Sequence, residues 1–544
     1  LYEEMGDKCL QLLRGMFAFA IYDSNRNKIL IARDHFGQKP LYYVQDDSSF
    51  AFSSELKALL QLKPSLNQMD CQSLYEYLTI RIITPPRSMF QKIKKLPPGH
   101  FLTFQNDRIT IEKYWDLNFE PKLRQDFAQI VDELEDRILS TVQYHLVSDV
   151  PVGTFLSGGL DSSLVTAMMR KSTSEEILSF SGDVPYKKFS EAPYARIGAQ
   201  EYQTNHHELT IRPSLIKILP ELIRHLDEPS DPLCVCLYLL AQLTSKHVKV
   251  VLGGDGGDEL FGGYDRYYGN VLVSYYALLP ESVRRHVFER FLNVIPEGFW
   301  YRSMSHKLKW MHQLSFYEGK ERYCKSLGYF YLSDGYKKRL YTDKFQKEVG
   351  LFDPEKSVKE SFDCANATEL IDKMLYSDSK VRMSDHPLMI LDRMTMAHGL
   401  EARSPFVDHT LAEFCASIPP KYKVRGIQKR YIQKELSRKY LPTVLLKKKK
   451  QGFSSALPYI LKDEFRTLFT IFLKDSHLVQ DGYLNYQPIQ NLLHEHLSRK
   501  ADHGNRLWLL CNAEVWYRMY IENQDREQIH NYLRHSAVPM HHKK

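Results

Sequence analysis

The sequence predicts an α/β protein of two unlike domains: a small α+β unit, then a parallel sheet wrapped by helices and ending in a helix-rich C-terminal part. Three observations carry this expectation. Short β-type runs, GMFAFAIYD, KILIARD and PLYYVQ, lie between Gly15 and Phe52, broken by the turn clusters SNRN, GQKP and DDSS. At VPVGTFLS and again at KVVLGG an apolar strand runs straight into a glycine turn, the alternation of a parallel sheet flanked by helices. After Tyr267, leucines and aromatics recur at helical spacing, punctuated near Pro280, Pro405, Pro419 and Pro442.

Taken in order, the runs from Met16 to Phe52 predict an antiparallel meander, and residues 70–80 a short helix. Phe101–Phe104 and Ile109–Tyr114 read as closing strands around a turn at Gln105–Arg108, so the first domain spans residues 1–118. The segment NFEPKLRQ has no periodicity and carries a proline, which makes residues 119–126 a linker. An amphipathic helix from Phe127 to His145 opens the second domain, residues 127–530, and residues 531–544 form a polar tail. A chain of 544 residues is long enough for each domain to bury its own core.

Charge and cysteine content exclude several classes. The net charge of +7, from 73 basic and 66 acidic residues, is too small and too dispersed for a nucleic-acid binder. The one basic run, Lys447–Lys450, reads by itself as a solvated face. The eight cysteines are scattered without zinc or disulfide spacing, so a reducing, cytoplasmic setting is expected, with Cys234 and Cys236 packed in an apolar segment. There is no membrane-length apolar run and no export signal, so no membrane partner is expected. The chain opens on Leu1 and runs directly into a helix, so the expectation is that it starts inside a domain.

The strongest chemical signal is SGGLDSS, Ser157–Ser163, between a strand and a helix. Glycines let backbone approach a polyanion, while serine hydroxyls and free amides at a helix start can bind phosphate oxygens. The lysine of a Walker loop is missing, so a kinase-type P-loop is excluded. Asp161 inside this cradle would repel phosphates unless a divalent ion lies between them, which implies Mg2+. A second acidic turn, GGDGGDELFGGY from Gly253 to Tyr264, also follows an apolar strand and brings Asp258 and Glu259 toward the edge where open α/β sheets bind ligands.

SGGLDSS resembles the PP-loop of the N-type ATP pyrophosphatases, and GDGGDELFGGY follows it as in class B, glutamine-dependent asparagine synthetases. The blocks GMFAFAIYD, ARDHFGQKPLYY and FSSELK are similar to the second half of that family's glutaminase domain; LDEP, DRMTMAHGLEARSPFVD and KKKQGF are similar to its synthetase blocks, in family order. The resemblance implies the remnant of an Ntn-hydrolase (glutaminase) α+β sandwich followed by a PP-loop ATP pyrophosphatase domain. It implies an ATP site of Ser157, Gly158, Gly159, Asp161 and Ser162 with Gly253 and Gly254, and Mg2+ on Asp161 and Asp258. Aspartate would be adenylated and the β-aspartyl-AMP cleaved by ammonia, itself drawn from glutamine in the intact protein.

Lys450 matches the family lysine that meets charge on departing pyrophosphate, which leaves Lys447–Lys449 as solvated or phosphate-steering side chains. Asp255 matches an acidic position near the reacting carbonyl, with orienting or deprotonating ammonium, metal binding and turn support as its open roles. Arg393 and Glu401 lie in a block where an arginine could grip the substrate carboxylate; an internal ion pair is the alternative. Gly253 replaces the family's usual serine, which implies one adenylate hydrogen bond fewer, and Ile390 replaces a common lysine, which opens a second reading, amidation of another carboxylate such as a sugar acid or natural-product precursor. The family's glutaminase nucleophile is an N-terminal cysteine; this chain shows Leu1 and a helical Cys9, so as written it is not expected to hydrolyse glutamine. A tRNA-modifying PP-loop enzyme is disfavoured by the weak charge. A non-enzymatic scaffold is disfavoured by the intact motifs. Oligomeric state is not legible, and a homodimer is one option.

Overall fold

The computed structural model describes residues 1–46, 49–184, 190–211, 215–229, 231, 233–294, 304–329, 331–448, 467–498 and 500–536. The N-terminal runs form two sheets in place of one meander. Strands β1 (Ala18–Asp23) and β2 (Lys28–Arg33) continue into β6 (His100–Gln105) and β7 (Arg108–Lys113) in the antiparallel order β1-β2-β6-β7. β3 (Tyr42–Asp46), β4 (Ser49–Ser53) and β5 (Lys94–Lys95) make a second sheet ordered β4-β3-β5.

The reason for the split is the turn after β2. The buried Asp34 carboxylate accepts from the backbone N–H groups of Phe36 at 3.2 Å, Gln38 at 2.9 Å and Lys39 at 2.9 Å, and from Phe17 at 3.3 Å. One side chain thus winds the RDHFGQK segment into a compact knot and redirects the chain. Period-two alternation then buries β2 on both faces: Leu30 and Ala32 join Cys9, Leu10 and Phe101, while Ile31 joins Leu41, Tyr43, Leu96 and Leu102.

The five-stranded sheet that follows is parallel throughout, in the order β10-β9-β8-β11-β12, with β8 at Val152–Phe155, β9 at Leu178–Asp183, β10 at Asn205–Thr210, β11 at Val250–Leu252 and β12 at Glu401–Arg403. Chain order reverses between β8 and β11, which makes their carboxyl ends the topological switch point. The helix Phe127–Leu146 opens this unit under a capping box: Asp126 accepts from Gln129 N–H while Gln129 reaches back to the Asp126 N–H. Its apolar positions Ile130, Leu134, Ile138 and Val142 recur at i+4 and bury against the helix Leu160–Ser172.

The largest apolar cluster does not respect the expected division of the chain. Leu74, Tyr77 and Leu78 from the helix Cys71–Ile80, with Met89 and Phe90, pack in one cluster with Trp508 and Trp516 of the helix Gly504–Trp516. Residues 119–126 carry no helix or strand, yet Phe119 is buried and Leu123 N–H donates to Ser417 O. The helix Arg526–Ser536 runs into the expected polar tail, whose last residues, 537–544, lie outside the described residues.

Candidate active site

β8 and β11 are neighbours, with Leu252 opposite Thr154, so the SGGLDSS and GGDGGDE turns leave one sheet edge side by side. The first turn is tightly self-bonded: Gly159 N–H donates to Ser157 Oγ at 3.2 Å, Ser157 N–H to Ser162 Oγ at 3.3 Å, and the two hydroxyls lie 3.1 Å apart. Gly158 is left-handed (φ 66°), and a Cβ there would overlap the backbone of Tyr194, so helix Ala192–Glu201 backs the loop directly. Gly159 caps the helix Leu160–Ser172, which puts Asp161 in its first turn beside free backbone amides.

The second turn packs onto the first with no room for side chains. A Cβ on Gly254 would lie 2.7 Å from both Asp161 Cβ and Ser162 N, and one on Gly257 would overlap the Asp161 carboxylate. Asp161 and Asp258 thereby converge, and one guanidinium joins them: Arg430 Nη1 donates to Asp161 Oδ2 at 2.6 Å and Nη2 to Asp258 Oδ1. Gln433 Nε2 donates to Asp161 Oδ1 at 2.8 Å. Arg430 itself is left-handed (φ 55°) and precedes the helix Tyr431–Ser437.

Sequence reasoning missed Arg430 and Gln433. A polar pair three apart at a helix start reads as an ordinary solvated face, and no local signal marks these two as inward-facing.

Asp255 lies between the two turns, and burial, followed by the charges of Glu259 and Asp161, pushes its carboxyl up to about 6. Gly253 leaves it room, because a Cβ there would stand 2.8 Å from Asp255 Oδ2. A side chain at this position would need the Asp255 carboxylate to shift. Glu259 is buried and accepts from Tyr264 O–H at 2.7 Å; burial raises its pKa, while Tyr264 and Arg382 pull it back.

The lysine run needs correction. Lys448 is no solvated side chain: only 4% exposed, it donates to Ser157 O at 2.9 Å and pairs with Glu191 Oε1 at 2.8 Å. Lys450 lies outside the described residues.

The structure also places Arg393 and Glu401 apart from the two turns. Arg393 is buried, donates to Ser54 O at 2.6 Å and lies 3.5 Å from Glu55, wedged against the N-terminal part of the chain. Glu401 pairs with Arg403 at 2.6 Å and sits opposite Val250, at the amino ends of the strands whose carboxyl ends carry the site. Ion pairing within the fold, the alternative held open for both, fits their surroundings. Ile390 is buried in the large apolar cluster.

Asp161 and Asp258 supply hard oxygens at the mouth of a phosphate-type cradle, a donor set that fits Mg2+ when nucleotide oxygens complete the shell. Among the described residues no group of three or more His, Cys, Asp or Glu side chains could hold a metal by itself. No helix among them is long and apolar enough to cross a membrane.

Comparison with known proteins agrees with this arrangement over almost the whole chain. The family profile described as Asparagine synthase matches residues 133–518, and that described as Glutamine amidotransferase domain matches residues 1–115. Asparagine synthetase [glutamine-hydrolyzing] 1 of Bacillus subtilis (strain 168) is 29% identical over 96% of this chain and 80% of its own length. A putative asparagine synthetase [glutamine-hydrolyzing] of Mycobacterium tuberculosis (strain H37Rv) is 28% identical over 97% of this chain and 80% of its own. Amidase chyE of Penicillium rubens is 28% identical over 81% of this chain and 69% of its own. With a family profile spanning most of the chain and both glycine turns packed at one sheet edge, this protein belongs to the asparagine synthase family, as an enzyme of that type.

Proposed function

We propose that this site activates the side-chain carboxylate of aspartate with ATP and passes it to ammonia, giving asparagine, AMP and pyrophosphate, with glutamine as the ammonia source in the intact protein. One observation carries the reading: Asp161 and Asp258, from two separate glycine turns, meet on a single cation at the switch point of a parallel sheet. Bound there, Mg2+ would be held by Asp161 and Asp258 and would neutralise phosphate charge. Ser157, Gly158, Gly159 and Ser162 would hold the triphosphate, and Gly253 and Gly254 leave space beside it.

A carboxylate oxygen attacks the α-phosphorus, the α–β bridging bond breaks, and pyrophosphate departs with that bond's electron pair. Ammonia then adds to the acyl carbon, AMP leaves, and the surplus proton goes to a base. Asp255, with its carboxyl raised to about 6, is the group poised to take it. Lys450 is assigned the charge that develops on pyrophosphate; Lys448, two residues earlier, is anchored on the loop that would hold the nucleotide.

The experiment is to incubate the chain with Mg2+, ATP, aspartate and ammonium and quantify AMP, pyrophosphate and asparagine. Equal amounts of all three are expected. Nucleotide cleaved only to ADP would overturn the reading. Ile390, apolar and buried where relatives often carry lysine, favours one second reading, in which another carboxylate is the acceptor. Pyrophosphate formed with that acid and not with aspartate would select it.

A further inference from the structure

We propose that Lys448 is a positioning residue for the nucleotide: it holds the Ser157 carbonyl so that the Gly158 N–H faces a phosphate oxygen. This rests on the ATP-binding reading above. Lys448 Nζ lies 2.9 Å from Ser157 O and 2.8 Å from Glu191 Oε1, and 4.9 Å above the ring of Tyr194. In a planar trans peptide the carbonyl and the following N–H point in opposite directions. A cation fixed on the Ser157 oxygen therefore sets the direction of the Gly158 amide.

Three features support that geometry. The left-handed Gly158 abuts the Tyr194 backbone, so the peptide has one side closed to it. The neighbouring amides are already taken inside the loop, Ser157 N–H by Ser162 Oγ and Gly159 N–H by Ser157 Oγ. Among the described residues the Gly158 N–H has no such acceptor, which leaves it for an anion.

Glu191 completes the device. Burial pushes its carboxyl pKa up, against the opposing pull of Lys448, and the contact at 2.8 Å fixes where the ammonium sits. A buried ion pair contributes little net stability compared with apolar packing, so the informative property of this one is where its ammonium points.

The test compares wild type with Lys448→Met, Lys448→Arg and Glu191→Gln in the full chain, by calorimetric binding of Mg2+–ATP and by the KM for ATP and kcat of pyrophosphate release. Lys448→Met should weaken ATP binding and raise its KM by about tenfold or more, the worth of one hydrogen bond to a charged group. kcat should change by less than about threefold, and whatever melting temperature is lost by leaving Glu191 without its cation should return in Lys448→Arg. Lys448→Arg should recover most of the affinity, because arginine can still donate to that carbonyl. Glu191→Gln should give a smaller loss in the same direction.

Unchanged ATP affinity in Lys448→Met would overturn the inference. So would a fall in kcat with KM unchanged, or a loss of melting temperature that arginine does not restore. Wild type failing to bind Mg2+–ATP would instead overturn the proposed function, and this inference with it.

Discussion

Asp255, proposed above as the base, carries a residue-scale prediction about pH. Its carboxyl is raised to about 6 by burial and by Glu259 and Asp161, so protonation grows as pH falls through that value. If the ionised form takes a proton during ammonia attack, the rate should fall about tenfold per pH unit below 6. Initial rates between pH 5 and 8 should show this acid limb. Asp255→Asn should be slower by about a hundredfold or more and should lack the limb; a variant that kept the same limb would remove Asp255 from the proton step. Gly257 offers a second residue-scale test, because its Cβ would overlap the Asp161 carboxylate. Gly257→Ala should raise the Mg2+ concentration needed for half-maximal rate by about tenfold, as displaced metal ligands do. An unchanged Mg2+ titration would count against Asp161 as a ligand.

At the scale of elements, what the sequence made legible was each strand, turn and helix that carries its own local signal. SGGLDSS and GGDGGDE lie on strand-to-helix turns because apolar strands precede them and their glycines permit the close packing found at Gly254 and Gly257. Arg430 and Lys448 were not legible, since each meets its partner across more than 250 residues of chain, |i−j| of 269 for Arg430–Asp161 and 291 for Lys448–Ser157. Nothing local distinguishes them from solvated cations. Glu401 is the converse case: its block looks site-like, while the strand register puts it opposite Val250 at the amino end of β12, a placement no local signal in the sequence reveals.

Arg430 yields an element-scale prediction, because it is the cation that lets two turns bearing Asp161 and Asp258 sit together. Arg430→Met should lose about 2 kcal/mol of stability in EDTA, the loss of charge-assisted hydrogen bonds to two half-buried carboxylates. Saturating Mg2+ should return part of that loss, and more than it gives wild type. Equal Mg2+ stabilisation of both proteins would mean that the two carboxylates do not share a metal.

The division of the chain into an amidotransferase part and a synthetase part describes its ancestry better than its cohesion. Lys95, in β5, is buried with Glu228 at 2.8 Å and Asp385 at 3.3 Å, so a cation from the first part neutralises two acids of the second. Burial works against its charge, yet Glu228 and Asp385 hold its pKa above the ordinary lysine value. His35 stacks on His409 with ring centroids 3.9 Å apart, and Arg14 reaches Asp408 at 2.8 Å. With the largest apolar cluster also shared, the two parts hold much of their core in common, alongside smaller clusters such as that of Leu30, Ala32 and Phe101 that lie within one part.

The whole molecule should therefore unfold as one unit despite its length. In urea, far-UV circular dichroism and tryptophan fluorescence should trace coincident transitions, since Trp115 packs against His409 and Trp516 against Phe90, contacts that span the chain. Lys95→Met should shift both curves together by about 3–5 kcal/mol, because it leaves Glu228 and Asp385 buried without their cation. Two separated transitions, with only one of them moved by Lys95→Met, would mean that the parts are stable apart and that the shared core adds little. Coincident curves would instead mean that packing lost beside Lys95 is felt across the whole chain, since Glu228 bonds to Met89 and Lys95 of the first part while its own segment lies in the second.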